Sequence, residues 1–76
     1  MFGFIEVFGK KFIIAGTRAK YVGREIRVTG HGMDMRVHDS RWNSAIGEFG
    51  GFNVDQIRQI ANEAIRTDRE HCSSTR

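Results

Sequence analysis

Between Phe52 and His71 the apolar positions fall at Val54, Ile57, Ile60, Ala61, Ala64 and Ile65. Steps of three and one place them on one stripe of an α-helix. The start of this helix is specified three ways. Asn53 can accept a hydrogen bond from a free N–H of the first turn, and Gln56 can reach back to the Asn53 N–H. Phe52 and Ile57 form a hydrophobic staple across the cap, and Asp55 adds a negative charge at the positive end of the helix dipole. A helix of about 18 residues is marginal alone in water. The remainder of the chain has to supply a surface for the stripe.

Upstream the pattern changes to alternation, punctuated by glycine and never by proline. Gly9-Lys10 separates two apolar runs, 2–8 and 11–15, and predicts a type II′ hairpin. That register sets Val7 against Phe12, Glu6 against Ile13 and Ile5 against Ile14. One face then carries Ile5, Val7, Phe12 and Ile14, and the other Phe4, Phe8 and Ile13 with Glu6 and Lys11 among them. A basic connection over 16–20 leads to a second hairpin, 21–29 and 32–38, turning at Gly30-His31. Here Val28 is set against Met33, Ile26 against Met35 and Arg24 against Val37. The opposite face pairs Arg27 with Asp34 and Glu25 with Arg36, two complementary cross-strand pairs.

The stretch 39–51 reads as a turn and a short fifth strand, then a flexible glycine-rich approach to the helix. Trp42, Ile46 and Phe49 are expected to fold over one end of the core. Residues beyond about His71 are expected to be disordered. The fold class is therefore α+β: an antiparallel meander of two hairpins, four or five strands in all, packed on one face by a single C-terminal helix. Residues 1–71 form one domain and 72–76 a tail.

Composition narrows the function classes. The chain has 76 residues, one cysteine and a net charge of +3, enough for one small core and no intramolecular disulfide. The lone Cys72 and the initiating Met point to a complete small cytoplasmic protein, and no apolar run reaches membrane-spanning length. From Gly9 to Arg41 eight Lys or Arg residues stand against three acids, which favours a polyanionic partner for the middle of the chain. The histidines, His31, His38 and His71, fall at a hairpin tip, a strand end and a helix end. They match no nucleophile–base or metal-ligand spacing, so neither catalysis nor a metal or cofactor is expected.

What remains is the sheet face that the helix does not cover. Phe4, Phe8 and Ile13, joined by Phe2 and rimmed by Lys11, form an apolar cluster there. Such a cluster is a protein contact surface unless the stretch carrying Trp42 folds over it. The expected function is that of a stand-alone, non-catalytic binding protein acting through protein–protein contact. It would regulate or inhibit a larger host machine, as phage and mobile-element proteins of this size do, and a homodimer needs only one such patch. The alternative is nucleic-acid binding by the basic loops and edges, through Lys10, Lys11, Arg18, Lys20 and Arg41 with Tyr21 as a stacking partner. The run 46–65 is similar in outline to the ending of AP2 domains, and that resemblance implies a three-stranded sheet, followed by a helix, that enters the DNA major groove. The upstream strands lack the arginine and tryptophan pattern of that family.

Overall fold

The computed structural model describes residues 2–19, 23–38 and 41–74, without the side chains of residues 2, 17–19, 23 and 71–74. Five strands form one antiparallel sheet: β1 (Phe2–Val7), β2 (Lys10–Ala19), β3 (Gly23–Gly30), β4 (Met33–His38) and β5 (Arg41–Phe49). Their spatial order repeats their chain order. A single helix, α1 (Val54–Ser74), packs on one face. The expected α+β meander is thus present, with the fifth strand fully formed.

The cap of α1 is built as its sequence specifies. The Gln56 N–H donates to Asn53 Oδ1 at 2.8 Å, and the Asn53 N–H donates to Gln56 Oε1 at 3.0 Å. Phe52 and Ile57 both pack against the core. Asn53→Ala is expected to cost about 1 kcal/mol, measured as a lower urea midpoint, and an unchanged midpoint would show that water replaces the cap without loss. Val54, which opens the apolar stripe, is exposed rather than buried. The helix also runs past His71 to Ser74.

Both hairpins turn one residue away from the expected place. The first closes through Val7–Lys10 with Phe8-Gly9 as its loop, and the second through Gly30–Met33 with His31-Gly32. All four loop residues have positive φ: 58° at Phe8, 71° at Gly9, 50° at His31 and 82° at Gly32. This is the type I′ turn, whose twist matches the strands it joins, with glycine second instead of first. The true pairs are Ile5–Phe12 and Phe4–Ile13 in the first hairpin, and Val28–Met35 and Ile26–Val37 in the second. Moving the turn by one residue shifts both partners together, so every strand residue keeps its expected face.

The inner face carries Ile5, Phe12, Ile14, Ile26, Val28, Met33, Met35 and Val37, all buried. Ile60, Ala61, Ala64 and Ile65 of α1 close over them, and the two alanines keep the helix near the sheet. Phe12 lies centrally, with the Phe52 ring edge-on at 5.8 Å and the His31 ring at 5.4 Å.

A charge pair extends this layer. Asp68 is only 1% exposed. It accepts from Arg24 Nε at 2.6 Å and from Arg24 Nη2 at 2.9 Å, a bidentate bridge between α1 and β3. Gly16 leaves the room for it: a Cβ at that position would run into both Asp68 Oδ1 and the Arg24 guanidinium. The contact holds the helix to the sheet beyond the end of the apolar stripe.

The connection into α1 is a tight turn rather than a flexible linker. The Phe52 N–H donates to the Phe49 carbonyl at 3.1 Å, and Gly50 and Gly51 take φ of 61° and 81°. At the other end of β5 a bulge lies opposite Arg36 to His38. Ser44 Oγ secures it, accepting from the His38 N–H at 2.8 Å and donating to the Arg41 carbonyl at 2.9 Å.

Candidate functional site

With α1 on one face, the other face of the sheet lies open. Trp42 and Phe49 do not fold over it. They pack against the core together with Ala45 and line a groove of about 180 Å³ with Val54 and Ile57 of the helix. Trp42 also has the Arg58 guanidinium 5.9 Å from its ring.

The registers order the open face into rows. One row runs Phe4, Ile13, Thr29, Asp34, Glu48; the next runs from Ala15 through Arg27 and Arg36 to Ile46. The apolar part is concentrated over β1 and β2. Phe4 is 59% and Ile13 40% exposed, and they stand directly opposite each other. Lys11 joins them, its ammonium 5.2 Å from the centre of the Phe4 ring, a cation–π arrangement. Three of the expected contact residues, Phe4, Lys11 and Ile13, therefore do meet.

Phe8 does not join them. It sits in the turn, 47% exposed, beside a groove it shares with α1. A bulky residue in left-handed backbone costs roughly 1–2 kcal/mol, which asparagine or glycine would largely avoid. The Phe2 side chain lies outside the described residues.

Ile46 was expected in the core and is instead 64% exposed on the open face, across from Arg36. The turn assignment also changes the charge pattern. Arg27 does bind Asp34, Nε to Oδ1 at 2.9 Å and Nη2 to Oδ2 at 3.0 Å. Hydrogen bonding from Arg27 holds the Asp34 carboxyl below its ordinary value, and the same contact raises Arg27. The expected Glu25–Arg36 pair does not form. Glu25 faces His38, and Arg36 faces Arg27, so Arg36 remains an uncancelled cation on this face. Thr29, Arg27 and Asp34 separate the Phe4–Ile13 cluster from Ile46.

The basic residues proposed for nucleic acid divide between the two ends of the sheet, with Arg18 and Arg41 at the same end. Lys10 and Lys11 lie where β2 begins, Arg18 near its other end, and Arg41 at the start of β5 beside His38. Seven steps along the strand separate Lys11 from Arg18, roughly 23 Å. Lys20, Tyr21 and the Arg18 side chain lie outside the described residues. The AP2-like plan of three strands and a helix is exceeded by two strands. Among the described residues no helix is long and apolar enough to cross a membrane. Comparison with protein-family models, curated proteins and solved structures finds no match.

Sequence reasoning missed the Arg24–Asp68 bridge, although a signal was present. Alternation puts Arg24 on the face of Ile26 and Val28, and helical spacing puts Asp68 in line with Ala61, Ala64 and Ile65. Two inward-facing opposite charges, one per element, need each other.

Proposed function

We propose that this chain is a small non-catalytic binding protein that works through protein–protein contact, using the open sheet face centred on Phe4, Ile13 and Lys11. The observation that carries this is the exposure of Phe4, 59% of its surface, within an apolar pair that neither the helix nor the β5 region covers. An aromatic anchor with a flexible cation at its rim is the composition of an interface core. A regulator or inhibitor of a larger host assembly, of the kind phages and mobile elements carry, suits a chain with one such face and one small core. Nucleic-acid binding draws less support, since Lys10 and Lys11 stand at the opposite end of the sheet from Arg18 and Arg41.

Phe4→Asp is the test. Affinity for the partner should fall at least tenfold, by the rule that a central aromatic anchor contributes about 2 kcal/mol or more. Circular dichroism and the urea midpoint should stay near wild type, because the side chain is already mostly in water. A variant that captures the same partner as wild type would refute the assignment. So would one that unfolds, which would make Phe4 a core residue.

A further inference from the structure

The two edges of the sheet are not alike. β5 is protected by its own irregularity: a bulge lies opposite Arg36 to His38, and Gly47 bends the strand at a φ of 126°. β1 has none of these devices. It pairs with β2 without a register shift from Phe2 to Val7, carries no proline or lysine, and has Glu6 as its one charge. The helix flanks this edge without covering it. A groove of about 420 Å³ lies there, lined by Glu6, Val7 and Phe8 on the strand side and Gln59, Asn62 and Glu63 on the helix side.

The hairpin determines which backbone groups face outward. A two-residue loop is closed by a hydrogen-bonded pair, here Val7–Lys10. Val7, Ile5 and Gly3 thus direct their N–H and C=O groups to β2. Phe4 and Glu6 present theirs to the open edge.

The charges add a second constraint. Glu6 and Lys11 stand directly opposite each other, yet among the described residues neither makes an ion pair. Lys11 leans diagonally over Phe4 in the neighbouring row instead. A carboxylate and an ammonium are left beside the same edge, offset by two positions along β1.

We propose that β1 pairs antiparallel with β1 of a second copy, with Phe4 facing Glu6 of the other chain and Glu6 set beside the other chain's Lys11. In this register Phe4 and Glu6 exchange backbone hydrogen bonds with Glu6 and Phe4 across a two-fold axis, and Ile5 faces Ile5. The offset between Glu6 and Lys11 becomes a complementary pair made twice. The assembly closes at two copies, because β5 is too distorted to accept β1 of a third. Both Phe4–Ile13 clusters then lie on one continuous outer face. The proposal goes beyond the function above, since edge and face are separate surfaces.

Sedimentation equilibrium over a range of protein concentrations tests it. The wild type should populate a dimer, and Glu6→Lys should weaken it about tenfold by replacing two attractions with repulsions. Adding Lys11→Glu should restore it. Glu6→Pro should abolish the dimer with the fold intact, because the N–H it removes points to the second copy; if that variant loses its circular dichroism, the charge-swap series decides. A wild type that stays monomeric at its solubility limit would overturn the proposal, as would a dimer indifferent to Glu6→Lys. A monomer whose partner capture still depends on Phe4 would leave the function above standing and remove only the dimer.

Discussion

Arg24→Ala is expected to remove a large share of the protein's stability. Removing one member of a buried ion pair costs about 3–5 kcal/mol, against a total stability of roughly 4–11 kcal/mol for a chain of this length. The cost lies in what remains. Both Asp68 oxygens accept from Arg24 and the residue is 1% exposed, so its carboxylate would stay buried without that partner. Urea unfolding followed by circular dichroism measures the loss. Lysine at position 24 should recover only part of it, lacking the fork that serves both oxygens. Arg24→Met combined with Asp68→Leu should recover most, because neither side chain then has to be desolvated as a charge. An Arg24→Ala midpoint within about 1 kcal/mol of wild type would show that Asp68 reaches water in solution, and the bridge would not hold the helix end.

Gly47→Ala carries the second-largest expected effect, a loss of about 3 kcal/mol. Two terms add. The φ of 126° is one that residues with a Cβ rarely adopt. The new methyl would also run into the Asp34 carbonyl oxygen and sit 3.0 Å from Met35 Cα. Both are backbone atoms of the paired strand and cannot swing aside. Gly51→Ala serves as the control: its φ is also positive, at 81°, but nothing lies within 4 Å of the added carbon. The difference between the two urea midpoints isolates the steric part. Trp42, the single tryptophan, lies on the same strand and reports detachment of β5 by fluorescence. Equal losses for the two alanines would mean that β5 shifts to absorb the methyl.

The elements and their faces were legible because each rests on local periodicity. Asn53 and Gln56 specify the helix start by hydrogen bonds three residues apart, and alternation alone sorts Phe12 and Ile14 inward and Ile13 outward. The turns were less legible. Gly9 and Gly32 are the second loop residues, but the sequence also allows Gly9 or Gly30 to be the first, and Phe8 and His31 are poor candidates for positive φ. Preference for comfortable residues selected the wrong turn type. That choice misplaced Phe8 on the open face and paired Glu25 with Arg36. Ile46 escaped for a different reason: three positions before Phe49 it falls on the opposite face of β5, whereas the bulge beside His38 brings Trp42 round to the core side, and no residue type announces where a bulge falls. Of the candidate site, Phe4, Lys11 and Ile13 could be brought together from pattern alone, because a turn shifted by one residue preserves faces. The cation–π contact depends on a side-chain torsion and could not.

The strand order of the sheet also bears on how the molecule forms. Each strand's partner is its neighbour in the chain, so the sheet can zip hairpin by hairpin through short closures alone. Low contact order of this kind favours fast folding. The long closure falls to the helix, which must return across the whole sheet to bring Asp68 to Arg24, 44 positions earlier. Until it does, Phe12, Ile14, Val28 and Met35 face water, and any delay in docking prolongs the interval in which an incomplete chain can aggregate.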